Sequence, residues 1–198
     1  AAMEEKKITP ETVLTIPYAL KRSTKVFHDH EPHPTQRLTT AGVLAVSSNT
    51  GSIKIGEMLS NDKLYDYLTK FGIGTKTGSG LPGESRGILP KVADWSGTTA
   101  PTVAFGQGYS LTAMQATSVF ATIANDGVRV SPTVIAGKSD SSGNYTPSAT
   151  RESVRVISSD TAAKMRLMME SVVSANGTAP SAAIPGYRVA GKTGTAQR

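Results

Sequence analysis

Two Lys-Thr-Gly tripeptides stand in this sequence, Lys76-Thr77-Gly78 and Lys192-Thr193-Gly194. A lysine beside a threonine hydroxyl offers positive charge and a hydrogen-bond donor, the pair that grips a carboxylate. A neighbouring glycine lets a substrate come close to the backbone. The second tripeptide also completes a G-x-x-x-x-G-K-T pattern from Gly186, in which loop amides and a helix N-terminus would hold phosphates. Well upstream, Ser47 and Asn49 close an apolar stretch and present a hydroxyl for proton transfer and an amide for orienting a partner. The same residues therefore offer either acyl transfer or nucleotide hydrolysis.

The flanks separate the two chemistries. A phosphate loop needs a buried strand before Gly186 and a helix opening at Lys192. "APSAAIP" before Gly186 is too poor in β-branched residues for that strand, and Thr193-Gly194-Thr195 start helices poorly. "YRVA" alternates as a strand does. "YRVAGKTGTAQ" is therefore read as a strand whose edge faces a groove. Lys192 supplies charge there, the Thr193 and Thr195 hydroxyls bind a carboxylate, and Gly194 keeps the backbone approachable. The other tripeptide sits in "GIGTKTGSGLPGE", where glycine density favours a turn over a strand. His28, His30 and His33 fall in a proline-rich polar loop without periodicity to converge the rings, so no metal is expected.

Bulk properties narrow the field further. At 198 residues, 38% hydrophobic and 18% charged, the chain has the makings of an ordinary globular core. Its net charge of +6 is scattered, without a basic arm or interleaved aromatics, which argues against a nucleic-acid partner. With no cysteine, thiolate nucleophiles and cysteine metal sites are excluded. No apolar run approaches membrane-spanning length. "AAMEEKK" reads as the tail of a helix already under way, and the last residues follow a strand, so the chain is read as part of a longer protein.

Helical spacing is expected from Arg37 to Val46, over "SIKIGEMLS", and over "DKLYDYLTKFG" with Ser60 or Asn61 as cap and Gly72 as stop. "SLTAMQATSVFATIANDG" is a further helix, and Ser159 or Asp160 caps a last one bearing Met165, Met168, Met169, Val172 and Val173 as a core stripe. Residues 15–34 read as irregular, 72–91 as a shaped loop, "VRVSPTVI" as a strand bent at Pro132, and 138–145 as a surface hairpin.

An S-x-N followed later by K-T-G is the order found in penicillin-recognising serine enzymes, whose third element is an upstream S-x-x-K. "YDYLTKFGIGTKTGSGLPGES", "DWSGTTAPTVAFGQGYSLTAMQ" and "IANDGVRVSP" resemble, in order, segments of class B penicillin-binding proteins, most like the septal type of actinobacteria. The resemblance covers nearly the whole chain. It implies an α+β fold of mostly antiparallel sheet packed by helices, with a helical lobe carrying Ser47. Residues 1–198 would be a partial transpeptidase domain, from just after the expected S-x-x-K to just after K-T-G.

It also implies D,D-transpeptidation of a peptidoglycan stem peptide ending in D-Ala-D-Ala, acylation by β-lactams, no cofactor, and work on the extracytoplasmic face, anchored outside this chain. Divisome proteins are possible partners. Ser47 would relay a proton, Asn49 would orient the nucleophile's lysine and hold the substrate amide, and Lys192 would set the field and bond Ser47. Thr193 and Thr195 would bind the terminal carboxylate, and the Thr195 N–H would form half of an oxyanion hole. The only S-x-x-K, Ser60 to Lys63, follows the S-x-N and sits at a helix start, where serine is a cap. The nucleophile is thus expected outside these residues. Alternatives are a non-catalytic peptidoglycan-binding or divisome scaffold relative and, more remotely, a nucleotide hydrolase.

Overall fold

A computed structural model describes residues 1–149 and 151–194. Four short strands come first: β1 (Val13–Ile16), β2 (Ala19–Arg22), β3 (Lys25–His28) and β4 (Gln36–Thr39). β1 pairs antiparallel with β4, with Leu14 opposite Leu38, and β2 pairs with β3 as a hairpin between them. The irregular reading of 15–34 is thus corrected. Each strand is only four residues long, and the hairpin turns at Ser23-Thr24 without a glycine. β4 also occupies the first residues of the expected Arg37 helix.

Helices then follow closely: α1 (Thr40–Ala45), α2 (Asn49–Gly56), α3 (Asn61–Lys70), α4 (Thr99–Ala104) and α5 (Ala113–Ala124). Each start except that of α4 is fixed by a side chain accepting an otherwise orphan N–H: Thr39 for α1, Ser48 for α2, Ser60 for α3 and Thr112 for α5. In α5 the cap is reciprocal, because Gln115 reaches back to the Thr112 N–H at 2.8 Å. The Gln115 amide nitrogen also donates to the carbonyls of Gly72, Thr75 and Arg86, pinning the 72–91 loop onto α5.

Two more antiparallel pairs complete the strands. β5 (Val128–Val130) pairs with β8 (Ser153–Arg155), and β6 (Gly137–Ser139) pairs with β7 (Tyr145–Pro147) as the expected hairpin. Helix α6 (Ser159–Val173) is capped by Ser158, one residue before the expected position. Its Met168, Met169, Val172 and Val173 are buried, as the stripe requires, and α6 packs mainly on α1. "AAMEEKK" forms a single helical turn that ends at Lys6, whose φ is +55°. Glu4 from that turn accepts the Ser158 N–H and hydroxyl at the start of α6. Segments 154 residues apart in sequence are thereby tied together.

Candidate active site

Ser47 lies in the two-residue turn between α1 and Ser48, the cap of α2. The Ser47 N–H donates to the Leu44 carbonyl at 3.2 Å and the Ser48 N–H to the Val43 carbonyl at 3.0 Å. That pair of bonds is a Schellman closure, which puts Ser47 at the position usually taken by glycine. Its φ is +57°, in the left-handed region. A residue with a Cβ is strained there by roughly 1–2 kcal/mol. The turn aims the Ser47 hydroxyl away from the buried Ser48, which instead accepts the Gly51 N–H and donates to Asp29 at 2.7 Å.

Facing Ser47 is Lys192, whose Nζ donates to the Ser47 Oγ at 2.6 Å across 145 residues of sequence. Nζ also reaches the Thr193 carbonyl at 3.0 Å and the Thr193 hydroxyl at 3.2 Å. Among the described residues no carboxylate pairs with this lysine. Burial of the ammonium holds its pKa below that of an ordinary lysine, so it gives up its proton more readily.

A closed circuit of bonds fixes the two elements. The Thr193 hydroxyl meets that of Thr178 at 2.9 Å, and the Thr178 N–H donates to the Ala45 carbonyl at the end of α1. Further along, the Gly191 N–H donates to the Met169 carbonyl, and Arg188 grips Glu170, both on α6. The segment carrying Lys192 is therefore moored to α1 and α6. Residues 188–194 have no ladder partner among the described residues, so the edge-strand expectation finds no pairing within them. A strand exists only by pairing, and here side-chain and helix contacts take its place.

Asn49 is the first residue of α2, and its amide nitrogen donates to the His28 carbonyl at 3.0 Å. It has no hydrogen bond to Ser47 or Lys192, so the structure joins those two directly and Asn49 only through the turn. Gly194 is exposed, with nothing within 4 Å of where a Cβ would stand, so internal packing does not demand glycine there. Thr195 lies outside the described residues.

The competing motifs are accounted for. Gly186 follows a 3-10 turn (Pro180–Ala182) rather than a strand, and Lys192 opens no helix among the described residues, so the phosphate-loop geometry is missing on both flanks. In the other tripeptide, the Glu84 carboxylate accepts the N–H groups of Thr77 and Gly78 at 2.5 and 3.2 Å, and the Thr77 hydroxyl as well. Lys76-Thr77-Gly78 is a loop folded around its own glutamate. Ser60 accepts the Lys63 N–H at 3.2 Å while the Lys63 ammonium pairs with Glu5, so this S-x-x-K serves as a helix start. His28 stacks on Tyr18 and His33 bonds Asp29, while His30 is exposed beside Glu31.

Sequence reasoning missed two supporting residues. Thr178 sits in a small-residue loop with no pattern to single it out. Asp29 lies among the histidines of a polar stretch, where a lone carboxylate carries no sequence signal.

Residues 1–198 match the penicillin-binding protein transpeptidase domain family. The chain is 40% identical over 204 residues to penicillin-binding protein PbpB of Mycobacterium tuberculosis, covering all of this chain and 30% of that protein. It is 35% identical over 201 residues to the peptidoglycan D,D-transpeptidase FtsI of Escherichia coli, covering all of this chain and 31% of the relative. The crystal structure of penicillin binding protein 3 from M. tuberculosis complexed with ampicillin superposes at a TM-score of 0.97 and 40% identity, over all of this chain and 45% of that one. The chain thus spans about a third of the length of the curated relatives it matches. The expected α+β fold is the fold of the superposed structure. With a family match running from the first residue to the last, this chain belongs to the class B penicillin-binding protein transpeptidases.

Proposed function

We propose that the intact protein containing this chain is a peptidoglycan D,D-transpeptidase. A serine attacks the D-Ala-D-Ala amide carbonyl of a stem peptide, the terminal D-alanine leaves as the amine, and the acyl group passes to an amine on a neighbouring strand. β-Lactams imitate the dipeptide and acylate the same serine. The attacking serine lies outside residues 1–198, whose one S-x-x-K is a helix cap.

Within this chain the roles divide by chemistry. The Ser47 hydroxyl passes a proton to the departing nitrogen and is replenished from Lys192, whose lowered pKa suits that exchange. Lys192 also supplies the positive field toward which the substrate's terminal carboxylate is drawn. Thr193 and Thr195 bind that carboxylate, Gly194 leaves room for the peptide, and the Thr195 N–H donates to the oxyanion. Asn49 holds the substrate amide and orients the nucleophile's lysine. The observation that carries this reading is the 2.6 Å bond between Lys192 and Ser47.

Peptidoglycan lies outside the cytoplasmic membrane, so the reaction belongs to the extracytoplasmic face. No helix among the described residues is long and apolar enough to cross a membrane, and the anchor is assigned to other parts of the intact protein. A septal role and divisome partners rest on the segment likeness to septal enzymes. The test is acylation of the intact protein by fluorescent penicillin. Ser47→Ala or Lys192→Ala should slow it by about 10²–10⁴-fold, the usual contribution of proton transfer. Native-rate labelling in both variants would refute the assignment.

A further inference from the structure

Beneath the Ser47 turn lies a carboxylate for which the roles above have no use. Asp29 follows β3 directly, and only 8% of its side chain is exposed. Its Oδ1 accepts the Thr50 N–H at 2.8 Å, and its Oδ2 accepts the Ser48 hydroxyl at 2.7 Å and lies 3.3 Å from the Thr50 hydroxyl. Four residues on, His33 sets Nε2 at 3.0 Å from the same Oδ2 and Nδ1 at 2.7 Å from the Pro34 carbonyl. The adjoining His28 carbonyl holds the Asn49 amide. One carboxylate and one carbonyl at the end of β3 thus grip residues 48, 49 and 50 together. Ser47 is held in its left-handed conformation directly against them, and such strain persists only where surroundings over-determine it.

Both ring nitrogens of His33 face oxygen acceptors. A neutral imidazole can donate to only one of them and turns a lone pair toward the other. The imidazolium satisfies both. We propose that Asp29 and His33 form a positioning pair, with His33 in its charged form, that holds the Ser47–Asn49 turn in register for acylation. Neither residue touches the reacting atoms; both act through Ser48 and Thr50.

The Pro34 carbonyl and then Asp29 raise the affinity of His33 for its proton. Simultaneous donation to both oxygens is therefore complete below the ordinary histidine range and lost as pH climbs past the raised value, when one oxygen faces a lone pair. The titratable groups around His33 are Asp29 in its own loop, Tyr18 edge-on from the β1–β2 turn, and His28 of β3 stacked behind Tyr18.

This inference rests on the transpeptidase reading, and two measurements on the intact protein keep them apart. The first is the first-order penicillin acylation constant across pH. The parent should lose rate as pH rises above the histidine range, and His33→Gln, which still donates but does not titrate, should be flat there. Asp29→Asn puts a donor among donors and should slow acylation by about 10–10²-fold, the cost of a misplaced group. The second is the ring ¹⁵N shifts of His33, assigned by loss in His33→Gln. They should report both nitrogens protonated up to a midpoint above that of a free histidine in the parent, and a lower midpoint in Asp29→Asn. A pH limb unchanged in His33→Gln, or a ring midpoint no higher than that of a free histidine, would overturn the proposal. If Asp29→Asn does not fold, His33→Gln and the ring shifts decide. A parent that penicillin does not acylate refutes the functional reading, and the shifts then judge the pair alone.

Discussion

Ser47 pays a conformational cost for its position. At φ +57° in a Schellman turn, it stands where helices that close in this way usually place glycine. Replacing it tests that geometry directly, because glycine relieves the strain and alanine keeps it. Ser47→Gly should unfold at higher urea than Ser47→Ala, by about 1 kcal/mol, although both lose the hydroxyl. Equal stabilities would mean that the left-handed conformation is wrong. At this scale the motifs were readable: a hydroxyl at a helix end and a lysine among small residues are conspicuous by type. The left-handed turn was not, since Ser-Ser-Asn-Thr reads as ordinary capping. Asp29 was hidden for a related reason, because one carboxylate in a polar loop says nothing of the three donors brought to it by folding.

Elements set how far apart these groups stand. Helices α1 and α2 approach so closely that a Cβ at Gly51 would fall 2.7 and 2.9 Å from the methyls of the buried Val43. Gly51→Ala gains about 1 kcal/mol of helix propensity. Overpacking costs about 1–3 kcal/mol, and Val43 has nowhere to retreat. The expected result is a net loss of about 1 kcal/mol in a urea melt, with slower penicillin acylation because Ser47 sits in the turn joining α1 to α2. A variant more stable than its parent would contradict this packing. Long periodic elements such as α3, α5 and α6 were legible in the sequence. The four-residue strands between 13 and 39 were not, because so short a run carries little periodicity and its turns lack the usual glycine. The Lys192 segment alternates as a strand does yet has no ladder partner among the described residues, since alternation marks an exposed extended chain as readily as a paired one.

At the scale of the whole molecule, the site depends on the packing of α6 against α1 and on the Thr178 link to Ala45, which bring position 192 to position 47. Side chains joined in this way act as one unit, and their losses do not add. The most direct measurement is a double-mutant cycle on penicillin acylation of the intact protein. It compares Ser47→Ala, Lys192→Ala and the double variant with the parent. Acylation of the double variant should be about as slow as that of the slower single variant, because removing either partner already breaks the relay. Losses that multiply would show that the two residues work independently, and would contradict a shared role for hydroxyl and ammonium.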